Sequence, residues 1–296
     1  MNKENKKQLT IAAIKRDAGL TMDTLRIWER RYGFPAPARD ENGDRVYSNA
    51  DLFKIRLVKR LINHGFRPGK IMHLDVATLQ TMLPEEQSDT IDSGTEIIKL
   101  LKAHDIQNLR KYLRDLLSSQ GLERFVVEHV ASMNHQVGDA WMYGLIAIFE
   151  EHIYAEQIQT LLHTSISQLS TSPSSPKILL TTLPGEQHTL GIMMVETLLS
   201  IYGATCLDLG AETPVSEIQL AVNAHQIDIL CLSFSTVFPK TKCLNSLAEL
   251  RERLPESVAI WVGGEGVPHS KLAAGVTHFP SLVELESAVT DWRKSH

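Results

Sequence analysis

With 296 residues and 43% hydrophobic side chains, the chain can bury sizeable cores, and its length corresponds to two to three domains. The net charge of −5 is unevenly spread: residues 1–70 hold 16 of the 30 Lys+Arg and 8 of the 35 Asp+Glu, about +8 against −13 for the rest. No stretch approaches the roughly 20 apolar residues of a membrane span and Met1 to Lys7 lacks the apolar run of a secretory signal, so a membrane role is excluded and a cytoplasmic location expected.

A basic end on an acidic body predicts that one domain meets a polyanion. Within that end, Thr10 can cap a helix over 11–17, Gly19 breaks it, and Thr21 can cap a second helix from Met22 to about Arg31. Two short capped helices across a tight turn predict a helix-turn-helix. Phe34 to Arg39, the turn Glu41-Asn42-Gly43-Asp44 and the strand-like Arg45-Val46-Tyr47 predict a β-wing. After a Ser48 or Asn49 cap, residues 51–63 form an amphipathic helix with Leu52, Ile55, Val58, Leu61 and Ile62 on one face, and Pro68 opens a further short helix ending near Met82.

The second helix and its exit, Leu25 to Gly33, interleave aromatic and guanidinium side chains. Arg26, Arg30 and Arg31 suit phosphates and guanine edges, Tyr32 suits the sugar backbone, and Arg45 and Tyr47 would extend the footprint along the wing. Leu25 reads as core, and Trp28 fits core and DNA contact equally well.

Leu83-Pro84-Glu85-Glu86-Gln87-Ser88-Asp89 predicts a linker. From 95 to 169 apolar residues recur at three and four spacing without a strand signal, predicting about four helices packed as a bundle. Inside it Trp141 is followed by Glu151-His152; alone, that pattern reads as core and surface. A second linker, Ser170 to Pro176, leads to strands at 178–182, 205–209, 229–234 and 258–262 alternating with helices at 188–202, 214–225 and 241–254. This alternation predicts a parallel, doubly wound sheet with helices on both faces. Cys206, Cys231 and Cys243 are odd in number and irregularly spaced, which fits core thiols rather than disulfides or a zinc motif.

Ligands of such sheets bind outside the carboxyl ends of the strands. His188 stands there, in the first strand-to-helix turn, within Glu186-x-His188-x-x-Gly191; Ser233-Phe234-Ser235 ends the third strand and Gly263-Gly264 the fourth. Hydroxyls supply hydrogen bonds and glycines allow close backbone approach, which suits a bulky ligand with a polar tail.

The order helix, turn, Arg-x-Trp helix, proline-bearing wing, Arg-x-Tyr and capped third helix, over residues 8 to about 75, resembles the MerR family of winged-helix transcription regulators. The resemblance implies that Arg26, Trp28, Arg30, Arg31, Tyr32, Arg45 and Tyr47 lie on double-stranded operator DNA. Pro84 follows too soon for the long dimerising helix of many such proteins, so a homo-oligomer, dimer or tetramer, is expected to form through the C-terminal parts.

The C-terminal motifs together with Trp141-x9-Glu151-His152 resemble the cobalamin-binding module of methionine synthase and its relatives, a helical cap over a Rossmann-like domain. Joined to a MerR-type head, the chain resembles the light-sensing, B12-dependent regulators of the CarH and LitR type. The implied fold class is multidomain α and α/β: a winged helix-turn-helix at 1–82, a four-helix bundle cap at 90–170 and a Rossmann-like cobalamin-binding domain at 176–296.

The implied cofactor is adenosylcobalamin, with His188 as lower axial ligand to cobalt and Glu186 orienting the imidazole. Gly191, Ser233, Ser235, Gly263 and Gly264 would line the channel for the nucleotide tail, and Trp141, Glu151 and His152 would cover the upper face. The implied activity is repression, not catalysis: the dark, cofactor-bound oligomer holds DNA and cleavage of the Co–C bond releases it. Met142 departs from the pattern, standing where many light-sensing members have a histidine, which leaves His129, His135, His152 or water as upper ligand in the light. The alternative reading is a MerR-like repressor controlled by a partner protein with little or no corrinoid binding. A corrinoid enzyme or methyl carrier would leave the basic head unexplained.

Overall fold

The computed structural model describes residues 9–11, 14, 20–40, 43–63, 65–82, 95–169, 174–268 and 272–296. Most of the first expected helix, the turn residues Glu41 and Asn42, the expected 83–89 linker and residues 170–173 of the second linker lie outside them.

The head runs β1 (Leu9–Thr10), α1 (Met22–Tyr32), β2 (Ala38–Arg39), β3 (Arg45–Tyr47), α2 (Asn49–Asn63), α3 (Pro68–Ile71) and α4 (Val76–Thr81). Thr21 starts α1 by accepting the Thr24 N–H on its hydroxyl at 3.1 Å, and Gly33 ends it in the left-handed region at φ +69°. Ser48 and Asp51 cap α2 reciprocally: the Asp51 N–H donates to the Ser48 hydroxyl at 3.0 Å and the Ser48 N–H to the Asp51 carboxylate at 2.9 Å.

Two details differ from expectation. The wing is three-stranded, because Leu9 and Thr10 pair antiparallel with Tyr47 and Val46 on the side of β3 opposite β2. The helix opened by Pro68 ends at Ile71, since the Asp75 carboxylate accepts the Thr78 N–H at 2.7 Å and starts α4 afresh.

The helical region comprises α5 (Glu96–Lys102), α6 (Ile106–Gln120), α7 (Leu122–Arg124) continuing through a π-helical turn at Phe125–Val130 into α8 (Ala131–Met142), and α9 (Ile148–Gln168). Taking α7 to α8 as one continuous helix gives four, as the periodicity predicts. Backbone contacts divide the chain into two compact units: residues 1–104 with 135–151, and residues 105–134 with 152–296. The helices expected as one bundle are thus shared between the head's unit and the sheet's.

The C-terminal sheet holds β4 (Lys177–Thr181), β5 (Thr205–Asp208), β6 (Ile229–Ser233), β7 (Ala259–Gly263) and β8 (Val276–Phe279) in the order β5-β4-β6-β7-β8, all parallel. Helices α10 (Leu190–Ile201), α11 (Val215–His225), α12 (Lys240–Arg253) and α13 (Leu285–Ser295) connect and close it. Alternate residues of β6 and β7, Leu230, Leu232, Ile260 and Val262, pack with Ile218 of α11 and Leu247 and Leu250 of α12. Each such fully buried aliphatic contributes roughly 1.5–3 kcal/mol.

β8 and α13 were not anticipated. Cys231 and Cys243 are core residues and Cys206 is half-buried, and burial pushes all three thiols up to about 12, which disfavours the thiolate. Because β4 has β5 on one side and β6 on the other, the strand order reverses there, and the crevice of the sheet opens at the carboxyl ends of β4 and β6.

Candidate functional site

The turn after β4 is tied down at several points before it reaches the imidazole. The Thr182 hydroxyl donates to the Glu186 carbonyl at 2.6 Å and accepts the Glu212 N–H at 3.0 Å, and Gly185 takes φ +93°. These bonds place Glu186 inward, where its side chain is completely buried, and leave His188 outside with 61% of its side chain exposed. Helix α10 begins at Leu190 rather than at His188, so the imidazole is carried by the turn itself.

The buried carboxylate is fully used. One oxygen, Oε1, accepts the His188 backbone N–H at 3.0 Å and lies 2.6 Å from His188 Nδ1; the other, Oε2, accepts the Ser235 N–H at 2.8 Å and hydroxyl at 2.7 Å. Burial pushes the Glu186 carboxyl up, but the hydrogen bonds from His188 and Ser235 outweigh it and hold the group below the usual carboxylate range. An ionised acceptor at 2.6 Å requires a proton on Nδ1, which places the lone pair of a neutral imidazole on Nε2. Metal-binding histidines are oriented in this way, by a carboxylate on the other ring nitrogen.

The remaining expected residues are placed as follows. Ser233 is buried at the end of β6, and a methyl group on Gly191 would lie 2.9 Å from its hydroxyl oxygen, so Gly191 lets the start of α10 rest on β6. Gly263 pairs with Ser233 in the sheet, and its carbonyl accepts the Phe234 N–H at 3.0 Å. Gly264, at φ +95°, would put a Cβ 2.3 Å from the Phe234 carbonyl oxygen. Its freedom therefore allows two strand-end loops to pack closely. Gly266 does the same against the Ser235 carbonyl, at 2.1 Å for a built Cβ; the sequence reading missed it, although Gly263-Gly264-Glu265-Gly266 was the visible signal.

Trp141, at the end of α8, is half-buried in the head's unit together with Glu151, while His152 belongs to the sheet's unit with Glu186 and His188. The Trp141 indole Nε1 is buried with no hydrogen-bond partner among the described residues. Gln159 was also missed: its amide donates to the Thr189 hydroxyl at 3.1 Å, tying α9 to the residue beside His188. His152 lies seven residues before Gln159 on the same face of α9, about 10 Å along the axis. His135 is exposed on α8. His129 sits in the π-helical turn with a buried Nε2 that has no partner among the described residues.

On the head, Arg26, Arg30 and Arg31 are exposed along α1, and Tyr32 is half-buried with the Arg31 guanidinium 5.8 Å from its ring centre. Arg45 is half-buried and pairs with Glu29 at 3.2 Å, joining wing to helix. Two expectations are corrected. Trp28, 6% exposed, and Tyr47, 2% exposed, pack with Leu25, Leu52 and Ile55 in the core, where they cannot lie on a phosphate backbone. Ile27, 44% exposed, and Arg39, whose guanidinium holds the Gly43 carbonyl at 2.6 Å across the wing, are surface groups the sequence reading passed over.

A winged helix with an arginine-lined helix, joined to a doubly wound sheet whose switch-point imidazole is held by a buried carboxylate, is the arrangement of a helix-turn-helix head on an α/β domain with a candidate ligand site. Residues 9–75 match the family model of the MerR HTH family regulatory protein, and residues 176–277 match that of the B12 binding domain. The chain therefore carries a MerR-type HTH segment at its N-terminal end and a B12-binding-type segment in its C-terminal sheet.

Among curated relatives, the HTH-type transcriptional repressor CarA of Myxococcus xanthus is 29% identical over 76% of this chain and 76% of its own. The HTH-type transcriptional repressor CarH of the same organism is 24% identical over 83% and 85%. Among solved structures, the Methanosarcina barkeri monomethylamine corrinoid protein superposes with a TM-score of 0.54 at 15% identity, covering 66% of this chain and 96% of its own, and shares the fold. Among the described residues no helix is long and apolar enough to cross a membrane.

Proposed function

We propose that this protein is a cytoplasmic transcriptional repressor whose hold on double-stranded operator DNA is set by adenosylcobalamin and by light. The observation that carries the reading is the Glu186–His188–Ser235 network, an exposed imidazole whose Nδ1 is engaged by a buried, ionised carboxylate. That donor arrangement fits a cobalt ligand: His188 would hold the metal through Nε2, with Glu186 and Ser235 fixing the ring. When bound, adenosylcobalamin supplies a Co–C bond that light cleaves.

This chain's residues do the rest. Trp141 offers an indole whose Nε1 has no partner among the described residues, and Glu151 and His152 would offer hydrogen bonds near the start of α9. Gly191, Ser233, Ser235, Gly263 and Gly264 would border the nucleotide tail. Arg26, Arg30, Arg31, Tyr32 and Arg45 meet the operator, with Trp28 and Tyr47 supporting them from the core. The division into a head at 1–82, a cap at 90–170 and a corrinoid domain at 176–296 is retained as the functional one.

Control works through assembly, because several weak heads held in one homo-oligomer bind far better than one. Met142 offers no imidazole, so His129, His135, His152 or water would supply the second cobalt ligand in the light.

Absorbance spectra of the purified protein with adenosylcobalamin, before and after green light, test the proposal. A corrinoid spectrum that survives desalting and changes on illumination is expected. Absence of a bound spectrum overturns the reading, and an unchanged spectrum in His188→Ala overturns the axial assignment.

A further inference from the structure

We propose that one face of α2 is a clasp holding the DNA-binding head to the Trp141 end of α8, and that the head and a corrinoid compete for the Trp141 indole; the second half rests on the cobalamin reading above. Three residues of α2 at successive turns meet three residues around the end of α8 in reverse order. Phe53 tilts against Tyr143 with ring centres 6.3 Å apart. Arg56 lies with its guanidinium carbon 3.8 Å from the centre of the Trp141 ring and donates through Nη1 to the Trp141 carbonyl at 3.2 Å. Arg60 pairs with Asp139 at 3.3 Å.

Positions 53, 56 and 60 form one stripe of a helix, so the three contacts make and break together. The head's own apolar core uses Leu52, Ile55, Leu57, Val58 and Leu61 of the same helix and needs neither arginine. Two guanidinium groups, on a domain whose basic charge serves DNA, are instead committed to the element that carries the cap tryptophan.

A planar guanidinium over an indole covers the surface that a flat ligand needs. Loading the corrinoid on that surface displaces Arg56, and by linkage a clasped head weakens the corrinoid by the same factor. A partly desolvated cation–π contact corresponds to about ten-fold in affinity, and a surface ion pair of this exposure to about two-fold. Loading would thus free the head to take the orientation an oligomer on DNA requires.

The test uses the full chain in the dark. Adenosylcobalamin is titrated by absorbance into the parent, Arg56→Ala, Arg60→Ala and the charge swap Arg60→Asp with Asp139→Arg, and hydrogen–deuterium exchange over 53–60 and 135–143 is followed with and without cofactor. The expected result is about ten-fold tighter uptake by Arg56→Ala, about two-fold by Arg60→Ala, parental uptake by the swap, and loss of protection over 53–60 when the parent is loaded. Uptake of equal or lower affinity in Arg60→Ala, with protection over 53–60 unchanged on loading, overturns the clasp while leaving the cobalamin reading intact. No uptake by any of the proteins overturns the cobalamin reading, and the competition with it. Arg60 and Asp139 are both partly exposed, so their substitution keeps the test available even if Arg56→Ala fails to fold.

Discussion

Replacing Glu186 with Gln preserves its shape while removing the property on which the site depends. Each oxygen of the buried carboxylate faces a backbone N–H, that of His188 at 3.0 Å and that of Ser235 at 2.8 Å. Whichever way the amide is turned, its NH2 group meets one of these donors head on. The backbone bond at the turned end is lost, worth about 1.5–3 kcal/mol, and its buried N–H is left unsatisfied at about 1–3 kcal/mol, while the Ser235 hydroxyl or His188 Nδ1 there can accept from the amide instead. Relief from burying a charge offsets part of this, so the expected net loss is about 2–4 kcal/mol.

Ser235→Ala removes only the hydroxyl and keeps the backbone bond, which predicts about 1–2 kcal/mol. Because the chain contains two compact units, a single global melt would mix them. Hydrogen exchange of the β4 and β6 amides reports the opening free energy of the sheet alone. A Gln variant within 0.5 kcal/mol of the parent, or less damaged than Ser235→Ala, would refute the claim that an ionised carboxylate organises the turn.

Three further outcomes are expected. Burial, with a contribution from Asp208, pushes the Glu196 carboxyl up from 4.5 to about 7, so the folded state binds the extra proton between those values and stability falls as pH rises through that window. The full shift corresponds to about 3 kcal/mol, discounted to about 1–2 for a partly exposed group; Glu196→Gln should therefore melt higher than the parent at pH 8 and alike at pH 4, and parallel pH profiles would refute this. Gly264→Ala, which drives a methyl group to 2.3 Å from a backbone oxygen at φ +95°, should abolish soluble folded protein, whereas Gly138→Ala, with nothing within 4 Å of the new carbon, should be neutral or stabilising by circular dichroism. Trp28→Ala should cost the head about 3–5 kcal/mol, while Arg26→Ala should leave the melt unchanged and lower the salt slope of operator binding by about one; the reverse assignment would show that α1 presents its other face.

The sequence exposed most of this wherever cause and effect are close along the chain. Thr21 and Gly33 delimit α1 through bonds within one turn, and Glu186 and His188 are two residues apart. The Trp28 alternative could have been settled by helical geometry: Leu25, Trp28 and Tyr32 stand at i, i+3 and i+7 on one face, while Arg26 and Arg30 stand at i and i+4 on another. Interleaving along the sequence suggested a shared surface that the helix in fact divides. β8 was missed because four residues with a half-buried pattern, Val276-Thr277-His278-Phe279, carry too little alternation to separate an edge strand from a loop. The role of Gly264 depends on a backbone 30 residues earlier in the chain, which no local pattern contains.

The same contrast explains why the site forms at this one edge. Ser235 is 49 residues from Glu186, yet the parallel register that pairs Thr181 with Leu232 ends β4 and β6 at the same level, so the loop after each strand emerges beside the other. With β5 added outside β4 and β7 outside β6, these are the two adjacent strands whose connections leave in opposite directions, and the gap between them is not closed by a crossover. A carboxylate placed on the first loop therefore finds backbone and hydroxyl donors on the second without any strain in either. The imidazole two residues further on inherits a fixed orientation from a bond network that the sheet topology supplies. Moving His188 by one residue in either direction would keep the composition of the turn and lose that orientation.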